Sequence, residues 1–450
     1  MAVSSQQRRK SKFIPIGVVV GLGVLLLCAV WKSSIFGRAA DNLHSELKAA
    51  HGDGLPLTAD DIRNSSVVAS DDNAAPLLMQ AFSELKTFEA TSDGKALAKI
   101  TKPGGGVLSL TSDDLAEIAP LLTHLTHFFD VLKQASLKPK IDFHRQWEKG
   151  PALLLPELAE EKSTVAPLIL LAKIDLKAGK PLEAIESLET AARISTLVGK
   201  EPLIISLLVQ VAIRAQVCQE LTEVIKANPY ATDVVDRSRV VLKDLGPVPD
   251  VRPGIRSEFL MGQIAVQMLA SQDASEVFGT EAGNGVVRLA RFGPIRTVYA
   301  LRVAEVYHRL YRALSQRPDS IVEMQKVFAN TEGTLDKDSS KDWTYGLVEI
   351  LAPTFTQMAA AIGESEAKKD VLLCALDLLD AKKATGQFPR KLLGNSGYWL
   401  DPFTERPMTY RSTKRGFLIY SFGRDGKDDG GKPRSPKSND QNYDIPFSFP

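Results

Sequence analysis

A chain of 450 residues has room for two or three domains, or for one long helical array behind a membrane anchor. Its 55 lysines and arginines balance 54 acids, which removes the electrostatic reason to expect a nucleic-acid partner. Three cysteines, Cys28, Cys218 and Cys374, are too few and too scattered for a disulfide framework. Cys218 and Cys374 stand in apolar helical contexts and read as buried free thiols, with a single bridge between them as the alternative.

Residues 13–31 contain no charged side chain. As a helix they would span roughly 28 Å, close to a hydrocarbon core of about 30 Å. Arg8, Arg9, Lys10 and Lys12 precede the run, and Lys32 and Arg38 follow it at lower density. That asymmetry predicts a cytoplasmic tail (1–12), a transmembrane anchor (13–31) and an extracytoplasmic remainder. A cleaved signal peptide is the competing reading, but no clear small-x-small site follows the apolar run. Gly17 and Gly21 lie four apart and would let two anchors approach closely, although glycine is common in membrane helices.

A stalk or linker (32–57) with a short helix over 41–50 leads into a helical array (58–364). Thr58-Ala59-Asp60-Asp61 reads as a helix start. Residues 73–88 carry Leu77, Leu78, Ala81, Phe82 and Leu85 at helical spacing. Residues 101–106 are a predicted loop, after which Ser112-Asp113-Asp114 caps a helix to about Gln134. Helices over 168–178, 182–197 and 202–227 follow, the first two separated by Gly179-Lys180-Pro181. Gly179, Ala184, Leu188 and Ala191 fall at the spacing of a tetratricopeptide-like pair; a generic α-hairpin is the plain alternative.

Gly246-Pro247-Val248-Pro249 and Arg252-Pro253-Gly254 are expected to stop the array, and helices over 257–269 and 297–314 to resume it. Residues 331–342 read as a charged loop. Helical periodicity then runs over 342–385, interrupted near Pro353 and Gly363, with 371–379 apolar nearly all round.

The tail (365–450) changes character. Two runs rich in β-formers, 408–411 and 417–422, are separated by a polar turn over 412–416 and predict a β-hairpin. The acidic, glycine-rich loop that follows, Gly423-Arg424-Asp425-Gly426-Lys427-Asp428-Asp429-Gly430-Gly431, suits neither helix nor strand. Crowded carboxylates repel one another unless water or a cation screens them, so the loop reads as a calcium loop or a solvated acidic turn.

The ordered set Gly386-Gln387-Phe388-Pro389, Asp401-Pro402-Phe403, Tyr410, Gly416-Phe417, Tyr420-Ser421, Gly423, Asp425-Gly426 and Asp444-Ile445 resembles the C-terminal part of the major pseudopilin of bacterial type II secretion systems. That resemblance covers about 85 residues and implies a helix before a small sheet, with an aspartate-rich loop that binds calcium. It implies ligand roles for Asp425 and Asp444, with Asn442 and Asp440 nearby, while Asp428 and Asp429 fall in a stretch that varies in the family. Residues 13–31 lack the acid and the cleavage site by which pseudopilins assemble, so a polymerising subunit is not implied. The whole chain resembles a group of bacterial envelope proteins with an N-terminal anchor, a helical array and such a tail, and this implies the inner membrane as its location.

Other motifs are thin. His124 and His127 lie three apart, with His144 further on, but no His-Glu-x-x-His or Cys-x-x-Cys accompanies them. The first two read as partly buried beside Phe128 and Phe129, and His308 as a surface residue. Arg288, Arg291, Arg296, Arg302, Arg309 and Arg312 form a basic stretch that suits a solvated face or an anionic polymer or lipid. No nucleophile elbow, phosphate loop or dinucleotide fingerprint occurs. The expectation is therefore a mainly α, membrane-anchored periplasmic protein of structural or interaction type, with an envelope protein partner, a secretion association and a Ca²⁺-stabilised loop. The alternative is a cell-wall hydrolase whose carboxylates the sequence alone does not place.

Overall fold

The computed structural model describes residues 37–449, apart from 66, 102–109, 154, 271–284, 352–354, 393–398, 413–415 and 435–441. The predicted anchor over 13–31, Cys28, Pro353 and Asp440 lie outside the described residues. The described chain is mainly helical and carries one small antiparallel sheet.

Helix α1 (residues 37–52) is followed by α2 (Ala59–Ser65), whose start is capped as the sequence predicts: Asp61 accepts from the amides of Leu57 and Thr58 at 2.8 and 2.9 Å. Then come α3 (Ala75–Ala90), α4 (Ser92–Thr101), α5 (Ser112–Leu122) and α6 (Thr126–Ser136). The single helix predicted from Ser112 to Gln134 is thus two. Its cap is Thr111, which exchanges hydrogen bonds with Asp114, and the break falls at a short 3₁₀ turn just after Pro120.

Helices α7 (Pro156–Lys177), α8 (Pro181–Val198), α9 (Ile204–Ala227) and α10 (Thr232–Asp244) pack on their sequence neighbours. Arg252-Pro253-Gly254 does not stop the array. Proline tolerates the first turn of a helix, and here these residues open α11 (Arg252–Met268). Helices α12 (Gly285–Leu289) and α13 (Gly293–Leu314) lead to α14 (Ile321–Lys341). The charged loop predicted over 331–342 is the second half of α14. Ser320 caps it, and Ile321, Met324, Phe328, Thr331 and Leu335 supply a buried stripe that the surrounding charges disguise in the sequence.

After α15 (Gly346–Leu351), α16 (Phe355–Thr385) runs unbroken through Gly363. That glycine marks a close approach and not an interruption: a Cβ there would lie 2.6 Å from the Phe403 ring. The sheet is β1 (Thr409–Ser412), β2 (Phe417–Ser421) and β3 (Ile445–Phe449), in the order β1-β2-β3. The predicted hairpin is present with Thr409 opposite Tyr420, and β3 extends it with Phe417 opposite Phe449. Phe417 and Ile419 point into the core, where Phe417 stacks on Phe447 with ring centroids 5.8 Å apart.

Two large hydrophobic clusters form most of the interior, beside a small one of Ile62, Trp147, Leu203 and Leu260. One joins α3 to α10 with the second half of α16 and the sheet; the other joins α1, α11, α13, α14 and the first half of α16. Helices α9 and α16 run through both: in α9, Ile204, Leu207 and Val211 serve one cluster and Val217, Leu221 and Val224 the other. Both are long and apolar enough to cross a membrane by length and composition, although the second candidate stretch starts at Trp343. Their side chains, however, are largely buried within the protein, and charged residues occupy their middles, as befits core helices.

At the boundary between the clusters lies Arg214, fully buried. Its Nη2 is 2.6 Å from Glu366 Oε2 and its Nε donates to Ser365 Oγ at 3.1 Å. Its Nη1 donates to the carbonyls of Leu245 and Pro247, and Lys369 donates to the carbonyl of Gly246 at 3.1 Å while also pairing with Glu366. The Gly246-Pro247 break after α10 therefore has a reason: three successive carbonyls, freed from helical pairing, solvate two buried cations.

His308 is buried, contrary to its surface reading, because Glu46 and Asp53 of the α1 region cover it. Its Nδ1 lies 2.7 Å from Glu46 and its Nε2 2.8 Å from Asp53. His124 and His127 are exposed, because the α6 face that carries Phe128 into the core turns them outward to meet Asp93 and Glu84. Cys218 and Cys374 are buried free thiols, and burial pushes the Cys218 thiol up to about 11.

Removing one partner of a buried pair strands the other, at a typical cost of 3–5 kcal/mol. Arg214→Met is expected to lower the unfolding free energy by about 3 kcal/mol in urea denaturation, since Lys369 still faces Glu366. A change below about 1 kcal/mol would contradict the role given to this pair.

Next to it, burial and the charge of Glu366 push the Asp370 carboxyl up to about 8. A carboxyl whose folded pKa exceeds its unfolded value costs stability as pH rises from the unfolded value to the folded one. Asp370→Asn should match the wild type near pH 4 and exceed it by at least about 1 kcal/mol at pH 8.5. Parallel pH profiles for the two proteins would show that the carboxyl titrates normally.

Candidate metal centre

The loop that joins β2 to β3, residues 422–444, carries the predicted calcium ligands. Its path is set by glycines whose left-handed backbone other residues resist. Gly423, at φ +70°, turns the chain so closely over β3's approach that a Cβ would lie 2.5 Å from the Tyr443 carbonyl oxygen. Gly431, at φ +82°, presses the loop onto the outer face of β2, where a Cβ would meet Leu418 at 2.8 Å. Tyr420 is buried beneath this fold-back, and its hydroxyl donates to Asp428 Oδ1 at 2.8 Å.

The six predicted ligands separate into distinct roles. Asp444 is 1% exposed, and its Oδ2 accepts from the Gly431 amide at 2.6 Å. Its Oδ1 is buried with no hydrogen-bond partner among the described residues, and so are Asp425 Oδ2 and Asp429 Oδ2. Asp425 Oδ1 accepts from the Lys427 amide at 3.2 Å within the tight turn that begins at Gly423. Asp428 is exposed and already used, since its Oδ1 also accepts from the Gly430 amide at 2.9 Å. Asn442 is exposed and is not among the buried oxygens, and Asp440 lies outside the described residues.

The electrostatics follow this division. Burial raises the Asp444 pKa and the charges of Asp429 and Asp428 add to the rise, while the amides of Gly431 and Asp429 oppose it. The Gly430 amide and the Tyr420 hydroxyl lower that of Asp428. Asp429 and Asp444 are therefore neighbours whose charges repel. A buried carboxylate oxygen without a donor is costly unless something positive meets it. No three His, Cys, Asp or Glu side chains among the described residues form a group ready to hold a metal ion. Calcium is less demanding of side chains, because backbone carbonyls and water complete its six to eight oxygens. Asp425, Asp429 and Asp444 offer the oxygen chemistry such an ion takes.

Sequence reasoning missed how this loop is tied to the body. Glu364 on α16 pairs with Arg424, whose Nε lies 2.6 Å away, and accepts from the Tyr443 hydroxyl. One carboxylate thus holds both ends of the loop. No local pattern could reveal it, since Glu364 is some sixty residues from Arg424 and stands among other charges of a long helix.

A second acidic residue, Asp401 of the Asp-Pro-Phe motif, is also structural. Its Oδ1 accepts from the Phe403 amide at 2.8 Å and its Oδ2 from the Phe422 amide at 2.6 Å. It thereby joins the turn before β1 to the end of β2. With both oxygens engaged it resembles a backbone staple more than a general base.

No protein-family model matches this chain, and neither the curated proteins nor the solved structures contain a match to it.

Gly423→Ala forces an L-residue into a left-handed conformation and against a carbonyl, whereas Gly386, at φ +76°, has open space around it. Gly423→Ala is expected to cost about 2–3 kcal/mol in thermal or urea unfolding, and Gly386→Ala about 1 kcal/mol. Equal costs would mean that the Tyr443 contact does not constrain the loop.

Proposed function

We propose that this chain is a membrane-anchored, extracytoplasmic protein of structural or interaction type, whose C-terminal β unit is ordered by calcium. The observation that carries the calcium reading is the set of three buried, unpartnered carboxylate oxygens on Asp425, Asp429 and Asp444. A cation between Asp429 and Asp444 would offset their repulsion and complete their bonding, and Glu364 would pass that order to α16 through Arg424 and Tyr443. The anchor reading is supported by the uncharged run over 13–31 and its basic flank, which favour a cytoplasmic tail and an extracytoplasmic body; the resemblance to bacterial envelope proteins makes that side the periplasm. The helical array, with α7 and α8 read as a tetratricopeptide-like pair, would give the surface that meets an envelope partner. The resemblance of the tail to the major pseudopilin supports an association with secretion.

Calcium binding to the folded state alone raises stability by about 2.7 kcal/mol at a hundredfold excess over Kd. Full-length protein in detergent is expected to melt several degrees higher in millimolar Ca²⁺ than in EGTA. Asp444→Asn should remove the rise and Asp428→Asn should keep most of it. Identical melting in Ca²⁺ and EGTA would reject the calcium reading, and recovery of the full-length protein in a soluble cytosolic fraction would reject the anchor.

A further inference from the structure

The turn over 401–405 touches α16 where Phe403 meets Gly363 but leaves a gap beside that contact. Between it, α16 and the start of α14 lies a cavity of about 260 Å³. Five carboxyl groups line it, those of Asp319, Glu366, Asp370, Asp401 and Glu405, and no Lys, Arg or His is among the described residues of its wall.

Three of the five are already engaged. Glu366 is paired with Arg214 and Lys369. Glu405 is paired with Arg317 at 2.8 Å and accepts from the Ser320 hydroxyl at 2.7 Å. Asp401 has both oxygens on backbone amides. Asp370 differs: it is 8% exposed, it lines the cavity, and it has no hydrogen-bond or ion-pair partner among the described residues. Other buried charges of this interior are paired: Arg145 meets Glu201 at 2.9 Å and Lys173 meets Glu220 at 2.9 Å. A buried carboxyl without a donor, in an acidic cavity open to solvent, marks a place for an incoming cation.

We infer that this cavity binds a small organic cation, an ammonium or guanidinium group that pairs with the Asp370 carboxylate. Its volume exceeds what a bare ion fills. Val248 and Leu400 give it apolar wall for the carbon stem of such a ligand. A free amine and a lysine side chain on a peptide both supply such an ammonium; the chemistry is the same. This inference is independent of the calcium reading.

The surroundings of Asp370 set its pH dependence. Glu366 and Lys369 stand on its own helix, Arg214 reaches it from α9, and Asp401 faces it from the turn before β1. Burial and the two acids outweigh the two cations and hold the carboxyl protonated near neutrality. Binding a cation therefore expels a proton, and affinity rises with pH.

The test is isothermal titration of the full-length protein in detergent with putrescine, with the peptide Gly-Lys-Gly and with Mg²⁺, at pH 6.5 and pH 8. Saturable binding of putrescine or the peptide is expected, about tenfold tighter at pH 8, with a proton released that shows as a buffer-dependent heat. Preference between the two amines identifies the source. Asp370→Asn keeps its shape without its charge and should lose the binding while its circular dichroism is unchanged; Asp428→Asn should bind as the wild type does. Absence of saturable amine binding, binding retained in Asp370→Asn, or saturable uptake of Mg²⁺ in place of the amines would each overturn the inference.

Discussion

A guanidinium with no access to water holds this molecule together. Arg214 lies where two hydrophobic clusters meet, and every polar group around it is arranged to solvate it: Glu366, Ser365 and the carbonyls after α10. Burying such a charge is tolerable only when its hydrogen bonds are satisfied, so the kink at Gly246-Pro247 and the register of α9 against α16 are fixed together. Hydrophobic contacts alone would let two apolar helices slide by a turn. One ion pair at their crossing removes that freedom, and the two clusters are built to either side of it.

The same helix that carries Glu366 also carries Glu364, two residues earlier and directed toward the C-terminal loop. The body and the tail are thus joined through a single turn of α16. Glu364 grips Arg424 and Tyr443 and Gly363 admits the Phe403 ring, while the sheet buries Phe417, Ile419 and Phe447 in the cluster it shares with the second half of α16. A cation between Asp429 and Asp444 would therefore act on α16 as well as on the loop.

How far the sequence reveals this depends on the range of the interaction. The helix periods, the Thr58 cap, the two strands and the buried thiols are legible, because each is decided by neighbours within about four residues. The second half of α14 is not, since its buried face has only one large apolar side chain per turn amid Asp and Lys. Strand β3 escapes notice because Ile445-Pro446-Phe447 contains a proline, which an edge strand tolerates and a central one does not. His308 reads as exposed because its partners, Glu46 and Asp53, lie more than 250 residues away. In the acidic loop the ligand types are legible, but the division between used and unused oxygens is not. Asp428 and Asp429 are adjacent in sequence, yet one bonds to Tyr420 and Gly430 while the other keeps a buried oxygen unpaired.

The central claim is that calcium orders the loop between β2 and β3 from within. Amide hydrogen exchange of the full-length protein, with and without millimolar Ca²⁺, tests it most directly, because exchange reports local opening at each amide. The account predicts strong calcium-dependent protection from Gly423 through Ile445, with little change in α3 to α8. Exchange in that loop that is the same in Ca²⁺ and in EGTA would contradict it.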